Sequence, residues 1–282
     1  MTRILLQTTI EAAEDDWHIG RFSRLFDHLS SLSHVEVVVG RDRSAPAGQT
    51  DPVLGRLADS DFDQVWLFAV DTGDGLNAEE CAAIGAFSAR GGGLMITRDH
   101  MNLGSSLCTL GGVGEAHYFH TSSLDPDPER NRRDDVATRY IDFPNYHSGA
   151  NGDWQTIRPV GEPHPVLRDV GGGVLTRLPA HPHEGGVGAP SSQPDARVIA
   201  AGVSAVTGRP FNIAVAFEGD GGMGRGVAQS TFHHFADYDW DPRDGCPSFV
   251  DEQPGTGMIE DPEALRQTQQ YVSNLGAWLS PR

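Results

Sequence analysis

Residues 65–100 read Val65-Trp66-Leu67-Phe68-Ala69-Val70-Asp71-Thr72, then Asn77-Ala78-Glu79-Glu80 opening an alanine-rich stretch, then Gly91-Gly92-Gly93-Leu94-Met95-Ile96-Thr97-Arg98-Asp99-His100. The first apolar run is short and bounded by polar residues, so it reads as a buried strand. Asn77 followed three residues later by Glu80 is a capping box, in which each side chain satisfies a backbone N–H left over at a helix start; it predicts a helix through Arg90. Gly91, Gly92 and Gly93 stop that helix, because glycine accepts the left-handed conformation at which helices end. Residues 94–97 then form a second buried strand, which runs out into Arg98, Asp99 and His100. Strands alternating with helices predict a parallel sheet covered by helices on both faces.

Toward the N-terminus, residues 4–6 read as another short buried strand, ending in Gln7, Thr8 and Thr9. Ile19, Phe22, Leu25, Phe26, Leu29 and Leu32 recur at three and four, which gives a helix with one apolar face. Residues 35–39 are β-branched and read as a strand; residues 42–60 are a polar connection with one helical turn. Toward the C-terminus the pattern breaks up. Gly, Pro, Asp and His dominate residues 101–195, a length too great for a structureless loop in a compact domain. Short strands and turns packed over the carboxyl edge of the sheet are expected there. Strand signals return at residues 197–203, 211–217 and 226–231, with a hairpin through 219–224. Asp261-Pro262, a cap followed by proline at the first helical position, opens a last helix with its face at Leu265, Val272, Leu275 and Leu279. The expectation is one α/β domain over residues 1–282: an open, mostly parallel, flavodoxin-like sheet with helices on both faces and an irregular insertion, 101–195, walling part of a site.

A chain of 282 residues buries a core without staples. Cys81, Cys108 and Cys246 have neither metal-ligand spacing nor the makings of a disulfide framework. No signal-peptide pattern precedes the first strand and no apolar stretch is long enough to span a bilayer, so a soluble, cytoplasmic protein is expected, with no membrane partner. A net charge of −18 argues against a nucleic-acid partner. Every basic residue is arginine; the lack of lysine excludes Schiff-base chemistry, a Walker A loop and a lysine base. The glycine runs at 91–93, 171–173 and 219–222 lack dinucleotide-loop spacing, so no nucleotide cofactor is expected. An open sheet edge permits a homo-oligomer without predicting one.

Nine of the twelve histidines fall between His100 and His234, most in clusters with other polar groups. Imidazole is suited to proton transfer near neutral pH and to metal ligation. Ligands of open parallel sheets bind beyond the carboxyl ends of the strands. That rule gathers Thr8 and Thr9, Asp71 and Thr72, Asp99 and His100, and His233 and His234 around one crevice. The insertion would add His117, His120, His147, His181, His183 and Glu184. Asp99 either orients a histidine or caps a helix beginning near Met101. In His181-Pro182-His183-Glu184-Gly185, an extended backbone puts the two imidazoles on one side and Glu184 on the other. The pair suits a metal, or one imidazole with Glu184 suits acid–base work. Only one of His233 and His234 is expected to face inward, with Asp237 or Asp239 orienting it. Cys108 lies too far past its strand to be an elbow nucleophile and reads as a small buried hydrophobe.

The order strand, helix, strand, strand, capped helix, Gly-Gly-Gly, strand and polar elbow resembles the class I glutamine amidotransferase-like superfamily, and within it the ThuA-like branch linked to trehalose utilisation. The resemblance is carried by Val65-Trp66-Leu67-Phe68, the helix from Asn77, Gly91 through Ile96, and Gly224-Arg225-Gly226-Val227. It covers residues 1–110 and 197–280. The cysteine elbow of the amidotransferases is absent: Arg98-Asp99-His100 stands there, so glutamine hydrolysis by a cysteine–histidine route is not expected. The ThuA-like resemblance implies histidine near the elbow and a carbohydrate or polyol ligand.

The leading expectation is an enzyme, a hydrolase, lyase or isomerase, acting on a small polar, carbohydrate-like molecule. Asp99, His100, His183, Glu184 and His234 would be catalytic. His100, His181, His183, Glu184 and His233 would hold a divalent zinc, iron or manganese ion. Thr9, Asp71, His117, His120 and His147 would bind substrate. Metal-free acid–base catalysis by the same residues, or a sugar-binding or regulatory module with no chemistry, remain as alternatives on the same scaffold.

Overall fold

The computed structural model describes residues 1–134 and 140–282. Its centre is an eight-stranded sheet. In chain order the strands are β1 (Thr2–Glu11), β2 (Val35–Arg43), β3 (Gln64–Phe68) and β4 (Gly93–Thr97), then β7 (Arg158–Pro159), β10 (Ala196–Val203), β11 (Pro210–Phe217) and β12 (Gly226–Gln229). Across the sheet they run β2-β1-β3-β4-β12-β11-β10-β7. Pairing is parallel from β2 to β12 and antiparallel from β12 to β7. The fold is thus the expected α/β sheet, with an antiparallel flank built by the hairpin through residues 218–225.

Every residue of β3 and β4 is buried. Successive side chains of a strand face opposite sides. Ile4, Leu6, Trp66, Phe68 and Met95 accordingly join one core with α1 (Ser23–Ser30) and α5 (Pro262–Trp278). Leu5, Val65, Leu67, Leu94 and Ile96 join a second core with α2 (Ala78–Ala89). Each such fully buried Leu or Phe contributes about 1.5–3 kcal/mol.

The capping box forms as the sequence predicts: Glu80 N–H donates to Asn77 Oδ1 (3.0 Å) and Asn77 N–H to Glu80 Oε2 (2.8 Å). Glu80 also receives Arg43 Nη1 at 2.6 Å, both side chains buried, which ties the end of β2 to the start of α2. Gly91 (φ 97°) ends α2, with Gly92 N–H returning to Phe87 O at 3.0 Å. A Cβ on Gly93 would meet Leu279 O at 2.2 Å, and one on Gly224 would meet Gly92 O at 1.8 Å. The glycines therefore allow the hairpin and the C-terminal helix to pack directly on the lower ends of the central strands.

Residues 101–195 carry short strands: β5 (His117–Tyr118) pairs with β9 (Gly186–Val187), and β6 (Trp154–Thr156) with β8 (Arg177–Pro179). Two short helices, α3 (Asp237–Trp240) and α4 (Gly257–Glu260), precede α5. Among the described residues no helix is long and apolar enough to cross a membrane.

Candidate functional site

Strands β4 and β12 are parallel neighbours, so their carboxyl ends emerge side by side. Beyond β4 the chain presents Asp99 and His100; beyond β12 it presents His233. A third segment, residues 180–185, crosses both exits. It fits because Gly185 has no side chain: a Cβ there would meet Arg98 Nη1 at 2.1 Å and Asp99 O at 2.4 Å. Gly185 N–H donates to Ser230 O (3.1 Å), locking the crossing segment to the end of β12.

Asp99, His181 and His233, all buried, bring one donor atom each to within 4.8 Å of one another. His181 Nδ1 donates to Asn151 Oδ1 at 2.6 Å, and His233 Nδ1 to Asp239 Oδ2 at 2.8 Å. Those bonds fix both tautomers, leaving each Nε2 with its lone pair turned inward. His181 Nε2 is buried with no hydrogen-bond partner among the described residues, 3.5 Å from Asp99 Oδ1. Asp99 Oδ1 accepts from Thr231 Oγ1 (2.9 Å), and Oδ2 faces His100 Nδ1 (2.8 Å). The two imidazole rings stack, with centroids 3.5 Å apart.

The charges follow from this packing. Burial, reinforced by the neighbouring imidazoles, holds His181 well below its ordinary value, so it is neutral at pH 7. Burial also works against a charged His233, but the Asp239 carboxylate outweighs it and the net shift is upward. For Asp99, burial raises and His100 more than offsets it, so the carboxyl stays below its usual range and ionised.

The triad lines a cavity of about 530 Å³. His100 and His183 lie in its wall, rings 5.3 Å apart, and His183 Nε2 meets Glu252 at 2.9 Å. Trp17 and Phe232 wall it further, with Trp17 edge-on to His233 at 4.7 Å.

Of the residues expected here, the fold gathers Asp99, His100, His181, His183 and His233. The other seven residues are not among those lining the cavity. Alternation along the chain turns Glu184 under the crossing segment, where it accepts from Ser148 Oγ (2.6 Å), Ser230 Oγ (2.8 Å) and Gln155 Nε2. His234 faces the same buried layer, its Nε2 at 3.4 Å from Glu184 and its Nδ1 accepting from Gln229 (2.7 Å). Thr9 Oγ1 is taken up by Val70 N–H (3.0 Å). Asp71 shapes its loop through Gly73 N–H and Ser106, and Thr72 lines the cavity instead. His117 is fully buried, its ring nitrogens each 3.3 Å from a carbonyl, of Gly114 and of Ile96. Burial, helped by Arg98, pushes His117 down to about 4. His120 stacks on Phe143 and bonds its carbonyl, away from the cavity. His147 lies outside the cavity wall. Nor does Asp99 cap a helix, since residues 101–104 are a turn in which Met101 adopts φ 50°. Asp237 caps α1 through Ser23 and Arg24 N–H, leaving Asp239 alone to orient His233.

Sequence reasoning did not single out Asn151 and Glu252. Asn151 sits in a polar turn, and Glu252 in a polar run before Pro254, with no local pattern that marks either.

No protein-family model matches the chain, and no curated protein does. Solved structures do. A cytoplasmic protein of Salmonella typhimurium is similar over 99% of both chains at 11% identity, with a TM-score of 0.50. The glutaminase domain of a CTPS from Trypanosoma brucei, with bound acivicin, is similar at 12% identity over 86% of this chain and 89% of that one (TM-score 0.47). A ThuA-like protein of Parabacteroides merdae is similar at 15% identity over 81% and 78% (TM-score 0.42). At such identities the likeness concerns fold alone.

Proposed function

We propose that the protein is an enzyme that uses a divalent ion held by Asp99, His181 and His233 to act on a small polar molecule in the adjoining cavity. One observation carries this reading: three buried donor atoms converge, and each histidine's other nitrogen is tied to a side-chain oxygen, the arrangement that orients imidazoles for a metal. A buried, unpartnered His181 Nε2 is otherwise a cost without a return. Two imidazoles and one carboxylate suit zinc, iron or manganese, and three protein ligands leave a position for substrate, as catalytic rather than structural sites do. Such an ion supplies Lewis-acid polarisation of a substrate oxygen or of water.

The chain's own groups do the rest. Asp239 and Asn151 hold the ligand tautomers. His100, partly open to the cavity and bonded to Asp99, is placed to take up or deliver a proton at its Nε2. His183 and Glu252, bonded through His183 Nε2, form a second proton-holding pair in the facing wall. Hydrolysis, elimination or isomerisation of a small polar molecule is the reaction class this set serves. The test is turnover of a panel of esters, amides, lactones and glycosides by metal-loaded protein. Activity lost in His181→Ala and after chelation supports the proposal. Activity that survives chelation assigns the chemistry to His100 and His183 without metal; tight binding with no product assigns a binding module.

A further inference from the structure

We infer that the cavity selects a molecule carrying a positively charged nitrogen beside an apolar or ring-shaped portion; this rests on the proposed site for its location, but not on the ion. Among the described residues, two aromatic rings appear among the exposed large hydrophobics, Tyr140 (75% exposed) and Phe249 (59%), and both lie on this cavity. Aromatic rings left in water at the mouth of a cavity lose the burial that makes them useful elsewhere, which points to an occupant that covers them. Deeper in, Trp17 and Phe232 continue the aromatic wall.

Carboxylates stand among these rings. Asp16 and Asp251 line the cavity, and Glu252 joins them. Glu252 is already paired with His183 at 2.9 Å, and one oxygen of Asp16 accepts Trp17 N–H at 2.7 Å. No arginine is among the described residues of the lining, and the chain has no lysine. A rim of aromatic faces and carboxylates attracts ammonium groups through both ring quadrupole and charge, and repels anions. The acidic rim does not stand alone as evidence, because the exposed Tyr140 and Phe249 rings border the same cavity, and Trp17 and Phe232 continue an apolar wall into it. A purely hydroxylated sugar would use the carboxylates but leave the apolar half of the wall without a partner. An amine-bearing substrate with an apolar face uses both.

Three probes of matched shape and different charge test this: benzylamine, benzyl alcohol and benzoate, titrated calorimetrically into chelator-treated protein at low salt. The ion is removed so that benzoate cannot gain affinity by ligating it. Benzylamine is expected to bind about tenfold tighter than benzyl alcohol, with benzoate weakest. In Asp16→Asn/Asp251→Asn, both changed residues being at the open rim, the preference for the amine should shrink to about twofold or less. Phe249→Ala should weaken benzylamine and benzyl alcohol alike. Benzylamine binding no tighter than benzyl alcohol, or a preference unchanged in the double variant, overturns the inference. Metal content measured on the same wild-type preparation before chelation reports separately on the proposed centre, so the two can fail independently.

Discussion

Asp239→Asn separates a metal-orienting role from a structural one. Asp239 is fully buried and accepts His233 Nδ1–H at 2.8 Å, while its other oxygen has no partner among the described residues. Burial raises its carboxyl above the usual range, so the charge is held against a desolvation cost. Asparagine keeps an acceptor for His233 Nδ1–H and the same shape but removes the charge. The hydrogen bond and tautomer survive, so unfolding of the metal-free protein should change by no more than about 1 kcal/mol. Metal affinity should fall, because a carboxylate behind a ligating imidazole makes it a stronger donor. Losing such a partner costs about 10–100-fold, or about 1.4–2.7 kcal/mol at 1.36 kcal/mol per decade. The assay is chelator competition for zinc and manganese beside urea unfolding of the metal-free protein. Unchanged affinity in a folded variant would refute the orienting role. Affinity and stability falling together by the same free energy would reduce Asp239 to a packing residue.

Glu184→Ala strands the donors of Ser148, Gln155 and Ser230 in a buried layer and should cost at least about 3 kcal/mol of stability in urea unfolding, with Glu184→Gln recovering part of it. Gly224→Ala drives a methyl into Gly92 O and should destabilise by about 3 kcal/mol, read as a lower thermal midpoint. His117 is buried with its folded value near 4 against 6.5 when exposed. Between those values the unfolded chain binds the proton more readily, so the contribution is complete above pH 6.5 and is lost as pH falls toward 4. It amounts to about 3 kcal/mol in full, and His117→Gln should flatten wild-type stability across that window by a comparable amount.

The sheet was legible because its signals are local. Asn77 and Glu80 close their box within four residues, Gly91 ends α2 by its own backbone freedom, and the apolar runs at 65–70 and 94–97 mark the strands Gln64–Phe68 and Gly93–Thr97. Half of the site was legible for a related reason: strand ends and period-two alternation placed Asp99, His100 and the His181/His183 pair on one crevice. Alternation also set Glu184 opposite the histidines, but periodicity does not say which side holds the cavity, and Glu184 went to the sheet. Asn151 and Glu252 arrive from turns distant in sequence, by packing that has no sequence period. His117 and His120 illustrate the converse: histidines near a site that are consumed by backbone carbonyls.

The central claim is that Asp99, His181 and His233 form a metal centre. It is tested most directly by the metal content of protein purified without a histidine tag, beside His181→Ala and Asp99→Ala, each checked for fold by circular dichroism. About one zinc, iron or manganese ion per wild-type chain is expected, directly or after add-back, and its loss from both folded variants. Wild-type protein that takes up no ion after add-back, or His181→Ala that keeps it, would contradict the account.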